Sequence, residues 1–152
     1  MNREQLDIES IIQNRELFLP YANTDVLITG ATGFIGTMLA KALFYASEKY
    51  DLNINIIGLI RSEEKAKKLY GGLYSKIKFI KEICGRYEYI IHTLSPTSSK
   101  YFVENPVETI KASVESTIKV LENAKESNAS LVYLSSMEQY GVPYEGDNNK
   151  MT

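Results

Sequence analysis

Residues 29–36 read Thr29-Gly30-Ala31-Thr32-Gly33-Phe34-Ile35-Gly36, three glycines each separated by two residues. The stretch just before, Asp25-Val26-Leu27-Ile28-Thr29, has the length and composition of a buried strand. Just after, Ile35, Met38, Leu39, Ala42, Leu43 and Ala46 recur at helical spacing. Each glycine meets a different demand in such a strand–turn–helix unit. Gly30 lets the chain turn tightly out of the strand, Gly33 lets the backbone approach an anion such as a pyrophosphate, and Gly36 lets the helix lie close to the sheet. A helix starting near Phe34 points free N–H groups and its positive dipole end at that anion. Gly30, Thr32, Gly33, Phe34, Ile35 and Gly36 are therefore the candidate phosphate-binding residues. Three glycines alone are a weak signal. Their place between a strand and a helix sharpens it against the competing reading, a plain strand-to-helix turn that binds nothing.

Working outward, residues 3–19 carry Leu6, Ile8, Ile11, Ile12, Leu17, Phe18 and Leu19. They predict a short amphipathic helix and a lead-in that packs on the domain, with Pro20 ending it. Residues 1–24 are read as this lead-in and 25–152 as the nucleotide-binding domain. Downstream, residues 54–60 read as a second strand. Ser62 then caps a helix that runs to Gly71-Gly72, with Glu63 and Glu64 in its first turn. Residues 77–80 are a weaker strand and residues 89–93 (YIIHT) a stronger one; residues 95–100 read as a polar loop. Asn105-Pro106 opens a long helix to about Asn128, and residues 131–135 (LVYLS) form a fifth strand. Strands alternating with helices predict an α/β fold. The expected form is a Rossmann-like, doubly wound parallel sheet in the order 3-2-1-4-5. It is expected to stop before a sixth strand and a substrate-binding part.

Composition narrows the classes. The chain has 152 residues, 44% hydrophobic and 24% charged, with a net charge of −2. That fits one soluble domain, with no basic run to suggest nucleic acid. No apolar stretch approaches the roughly 20 residues of a membrane span, and the polar start lacks a secretory signal pattern. A single cysteine, Cys84, and a single histidine, His92, suit a reducing cytoplasm and argue against a structural zinc site. The expectation is a cytoplasmic protein with no metal.

The spacing of the glycine turn, G-x-x-G-x-x-G, resembles the short-chain dehydrogenase/reductase superfamily. Thr29 to Gly36 (TGATGFIG) is similar to its extended branch, the NAD(P)-dependent nucleotide-sugar epimerases and dehydratases. Residues 89–95 (YIIHTLS) resemble the family's strand-end segment along the cofactor, with Thr93-Leu94 in place of the usual small pair. Residues 135–141 (SSMEQYG) resemble its "SSxxVYG" segment. The resemblance implies that Thr93, Leu94 and Ser95 lie along the cofactor. It also places Glu82-Ile83 beside the adenine, where Glu82 either accepts from the amino group or is an exposed carboxylate.

The end of the second strand decides which nicotinamide cofactor is bound. An acid there accepts from the 2′-OH of NAD, whereas an Arg accommodates the 2′-phosphate of NADP. Here the strand ends in Arg61-Ser62, which favours NADP over NAD; the competing reading is a solvated surface Arg61.

In the family a Tyr acts as base, a Lys four residues later lowers its pKa, and a Ser or Thr holds the reacting oxygen. Ser136 matches that Ser or Thr, set against a strand-end hydroxyl capping backbone groups. Glu138 matches a Glu found in 4,6-dehydratases and related decarboxylases, where it takes the sugar C5 proton, set against an exposed loop Glu. Tyr-x-x-x-Lys occurs at Tyr45–Lys49 and Tyr74–Lys78, neither of them after the fifth strand. Ser113 stands where the family has Asn, a further departure. His92 is expected to be a packed, hydrogen-bonded residue at the cofactor-side strand end.

The first expectation is the N-terminal part of a nucleotide-sugar epimerase or dehydratase, dehydratase- or decarboxylase-like and inactive alone. The second is a non-catalytic nucleotide-binding or regulatory module, and a scaffold without cofactor is the third. A bare fifth strand, or the helix 106–128, is expected to drive self-association.

Overall fold

The computed structural model describes residues 3–95 and 99–136. Five strands, β1 (Asp25–Thr29), β2 (Asn55–Leu59), β3 (Lys78–Ile80), β4 (Tyr89–His92) and β5 (Ser130–Tyr133), form one sheet. Their order is β3-β2-β1-β4-β5, and every pairing is parallel. The order reverses beside β1, which pairs with β2 on one side and β4 on the other. That is the switch point where such sheets leave a crevice at the strand C-termini.

The helices are α1 (Arg3–Ile11), α2 (Phe34–Tyr50), α3 (Glu63–Tyr70), α4 (Ser99–Glu104) and α5 (Pro106–Ser127). Period-two alternation along the strands builds two cores. Val26, Ile28, Ile56 and Ile91 join Ile8 of α1, Leu43 and Ala46 of α2 and Tyr70 of α3. Leu27, Ile57 and Ile90 face the other way, against Val120 and Ala124 of α5. Each fully buried Leu or Ile contributes about 1.5–3 kcal/mol, so β1, buried from Val26 to Thr29, anchors the sheet.

Local chemistry sets the element ends. Ser62 caps α3, its hydroxyl accepting from the Lys65 amide at 3.2 Å. Asp51 and Asn128 end α2 and α5 in the left-handed conformation, with φ of 53° and 54°. Pro106 sits in the first turn of α5, where its missing N–H costs nothing.

Two local expectations change. The N-terminal helix stops at Ile11, ahead of Pro20, and two 3-10 turns follow at Arg15–Leu17 and Leu19–Tyr21. The Asn14 side chain accepts from the Glu16 amide at 3.0 Å, a local bond that competes with helix continuation. Pro20 lies inside the second turn. The segment read as a loop through residue 100 instead starts α4 at Ser99. Lys100 and Glu104, one turn apart at 3.8 Å, support that helix.

Candidate functional site

A cleft of about 1090 Å³ opens at the C-terminal ends of β1, β2 and β4 and is walled by α5. The glycine turn forms its floor. Gly30 has φ +66°, a conformation that side chains disfavour. A Cβ on Gly36 would lie 2.4 Å from the Gly30 carbonyl oxygen, so α2 begins in direct backbone contact with the turn. Gly33 is the N-cap of α2 and supplies no side-chain cap. The start of α2 therefore faces the cleft with amide donors and the positive dipole end, a fit for a phosphate group. Further back, the Thr37 hydroxyl and the Tyr70 phenol both donate to the Ala31 carbonyl, at 3.0 and 2.7 Å. Burial pushes the Tyr70 phenol well above its ordinary pKa.

Twelve of the sequence candidates line this one cleft: Gly30, Thr32, Gly33, Phe34, Ile35, Gly36, Arg61, Glu82, Ile83, Thr93, Leu94 and Ser95. Ser62 is not among its lining residues, and its hydroxyl is engaged in capping α3. Ser136 is exposed and does not line the cleft. Glu138 lies outside the described residues.

Arg61 is exposed at the tip of β2, and Lys65 and Lys81 line the same rim. Lys81 pairs with Glu63 at 2.9 Å, which holds the Glu63 carboxyl below and the Lys81 amine above their ordinary values. The opposite wall is the α5 face carrying Ala112, Glu115, Ser116, Lys119 and Asn123. The sequence reading missed the two lysines and this face. Their spacing of three and four residues on α5 was the available signal.

His92 is 1% exposed. Its Nδ1 lies 2.6 Å from the Thr29 hydroxyl, its Nε2 3.4 Å from the Thr117 hydroxyl, and its ring stacks on Tyr133. Burial lowers its pKa, which favours the neutral ring. This is the packed, hydrogen-bonded histidine expected from sequence.

The two Tyr-x-x-x-Lys pairs lie elsewhere. Tyr45 and Lys49 line a separate cleft between α1, α2 and the turn at Gly71–Ser75. Tyr74 stacks on Phe79 at 5.0 Å between ring centroids. Among the described residues no cluster of His, Cys, Asp and Glu is arranged to hold a metal ion, and no helix is long and apolar enough to cross a membrane.

A family model described as the NAD dependent epimerase/dehydratase family matches residues 26–152. UDP-glucuronic acid decarboxylase 6 of Arabidopsis thaliana is 30% identical over 139 residues, which is 88% of this chain and 39% of that protein. The chain thus spans about two fifths of that relative's length. Among solved structures, a UDP-N-acetylglucosamine 4-epimerase from Methanobrevibacter ruminantium M1, in complex with UDP-N-acetylmuramic acid, superposes with a TM-score of 0.67. It is 18% identical, covering 86% of this chain and 43% of that one. A UDP-glucose 4-epimerase from Bifidobacterium longum, in complex with NAD+ and UDP, gives a TM-score of 0.60 at 21% identity, covering 80% and 39%. At these identities the structural likeness speaks to the fold.

Proposed function

Since the chain belongs to the NAD dependent epimerase/dehydratase family, we propose that it forms the NADP-binding part of an enzyme that modifies nucleotide sugars. One observation carries this reading: the glycine turn lies at the switch point of the sheet, on the floor of the cleft. The residues present fit the cofactor. The start of α2 offers amides to the pyrophosphate, and the Gly36–Gly30 contact leaves no room for a side chain there. Arg61 and Lys65, which line the same cleft, would meet a 2′-phosphate. Glu82 and Ile83 would flank the adenine, and Thr93 to Ser95 would line the path toward the nicotinamide. The chemistry that a bound nicotinamide would supply there is reversible hydride transfer with the sugar.

The sugar chemistry rests on the UDP-glucuronic acid decarboxylase relative and on Ser136 and Glu138. Ser136 would hold the reacting oxygen and Glu138 would take a sugar proton. Among the described residues neither Tyr45 nor Tyr74 lines the cleft, so neither would serve there as the family's Tyr base. Residues 1–152 would bind cofactor without turning over a sugar. The protein is read as cytoplasmic and self-associating, acting on a nucleotide sugar in its whole form.

The test is titration of NAD and NADP followed by thermal unfolding. A ligand at a hundred times its Kd stabilises by about 2.7 kcal/mol, which moves the Tm of a chain this size by several degrees. NADP is expected to bind tighter, and Arg61→Ala should weaken NADP about tenfold or more while leaving NAD nearly unchanged. A preference for NAD that survives Arg61→Ala would defeat the NADP assignment, and no shift with either nucleotide would defeat the binding reading.

A further inference from the structure

The hydrogen bonds around His92 favour one assignment of its ring proton. The Thr117 hydroxyl donates its single proton to the Ser113 carbonyl at 2.8 Å, so toward His92 it can only accept. Nε2 therefore carries the ring proton and donates to Thr117. A neutral ring protonated at Nε2 has a bare Nδ1. The 2.6 Å contact with Thr29 is then a hydrogen bond donated by the Thr29 hydroxyl. With its proton spent on Nδ1, the Thr29 oxygen accepts from the Thr93 amide at 3.2 Å. The Thr93 hydroxyl in turn donates to the Thr29 carbonyl at 2.7 Å, and a Cβ on Gly36 would lie 2.9 Å from it. The ring thus ties three walls of the cleft together: the strand end carrying the glycine turn, the loop after β4, and α5.

We propose that His92 is a positioning residue whose bare Nδ1, by taking the Thr29 proton, fixes the glycine turn against Thr93 at the spacing a dinucleotide requires. This rests on the cofactor-binding reading above. The ring touches neither nucleotide nor sugar; it acts through Thr29 and Thr93. A ring protonated at Nδ1 would donate to the Thr29 oxygen instead and take away the acceptor of the Thr29 proton. The Thr29 hydroxyl would then lose the bond that fixes its rotation beside Thr93.

Because the chain has one histidine, nitrogen-15 labelling of histidine reports this ring alone. In the full chain without nucleotide, the spectrum at neutral pH is expected to show a protonated Nε2 and a bare, hydrogen-bonded Nδ1. NADP and NAD are then titrated into two matched pairs of variants. His92→Asn offers an amide oxygen where Nδ1 stood, while His92→Phe keeps the stack on Tyr133 and removes the acceptor. Thr29→Ser keeps the hydroxyl, and Thr29→Val removes it with little change in shape. The His92→Asn and Thr29→Ser variants are expected to bind within about threefold of the parent chain, and the His92→Phe and Thr29→Val variants about tenfold more weakly. The Thr29 pair stands on its own if the His92→Phe variant does not fold. A protonated Nδ1, or equal affinities within both pairs, overturns the positioning role and leaves the cofactor reading intact. A parent chain that binds neither nucleotide overturns both.

Discussion

Gly36 shows how little room a single position leaves. An added Cβ would sit 2.4 Å from the Gly30 carbonyl oxygen and 2.9 Å from its carbon, both backbone atoms that move only if the turn moves. Alanine gains about 1 kcal/mol in a helix over glycine, but forcing the turn apart costs about 1–3 kcal/mol. Gly36→Ala is therefore expected to lower stability in urea by a net of about 1 kcal/mol and to weaken nucleotide binding more than stability. An unchanged urea midpoint with unchanged affinity would show that the helix start has slack. His92 adds a pH dependence. Its native pKa lies below the 6.5 of a free histidine because of burial. The unfolded chain takes up the proton first as pH falls. The stability contribution is complete above about pH 6.5 and is lost as pH falls toward and through the native value. Denaturation at about pH 7.5 and about pH 5.5 should show less stability at the lower pH, and His92→Asn should flatten that part of the slope. The glycines were legible from sequence because their constraint is local, a spacing along the chain. The partners of His92 were not, since Thr29 and Thr117 lie 63 and 25 residues away.

At the scale of elements, α5 carries the least settled surface. Val107, Ile110, Val114, Ile118 and Leu121 are all about half exposed or more, and they recur at three- and four-residue steps. Beside it, β5 is the outer strand of the described sheet, with Val132 and Tyr133 about half exposed. An apolar helix stripe next to an open strand edge invites a second chain. The chain is expected to self-associate in sedimentation at high concentration, and Ile110→Glu with Val114→Glu should shift it to monomer without lowering its Tm. If the double variant associates as the parent does, the stripe is not the contact. A monomeric parent would remove the expectation altogether. Element types were legible where apolar periodicity was strong, as in β1, α2 and α5. They were less so where side chains compete with the backbone, as Asn14 does, or where a one-turn pair such as Lys100–Glu104 supports a helix in a polar stretch.

For the whole molecule, the order of the sheet followed from alternation and the handedness of crossovers. The cleft followed from that order, because strands that reverse direction of growth part at their C-termini. What sequence could not show was which distant side chains share its walls. Lys65 of α3 and Lys81 after β3 line the same cleft as Arg61 although they come from different elements. The α5 face joins the site only because β4 and β5 hold that helix across from the turn. Stability is also distributed unevenly over this frame. Only Val120 and Ala124 of α5 are buried, so its second half is held by the sheet while its first half buries no side chain among the described residues. Hydrogen exchange should therefore divide one continuous helix in two. Amides around Val120 and Ala124 should open only with the sheet, and those around Ile110 to Val114 should open independently and exchange far sooner. Uniform protection along the helix would mean that something other than the sheet holds its first half. A single rod would then behave as a rooted stump with a labile arm, each half with its own opening free energy.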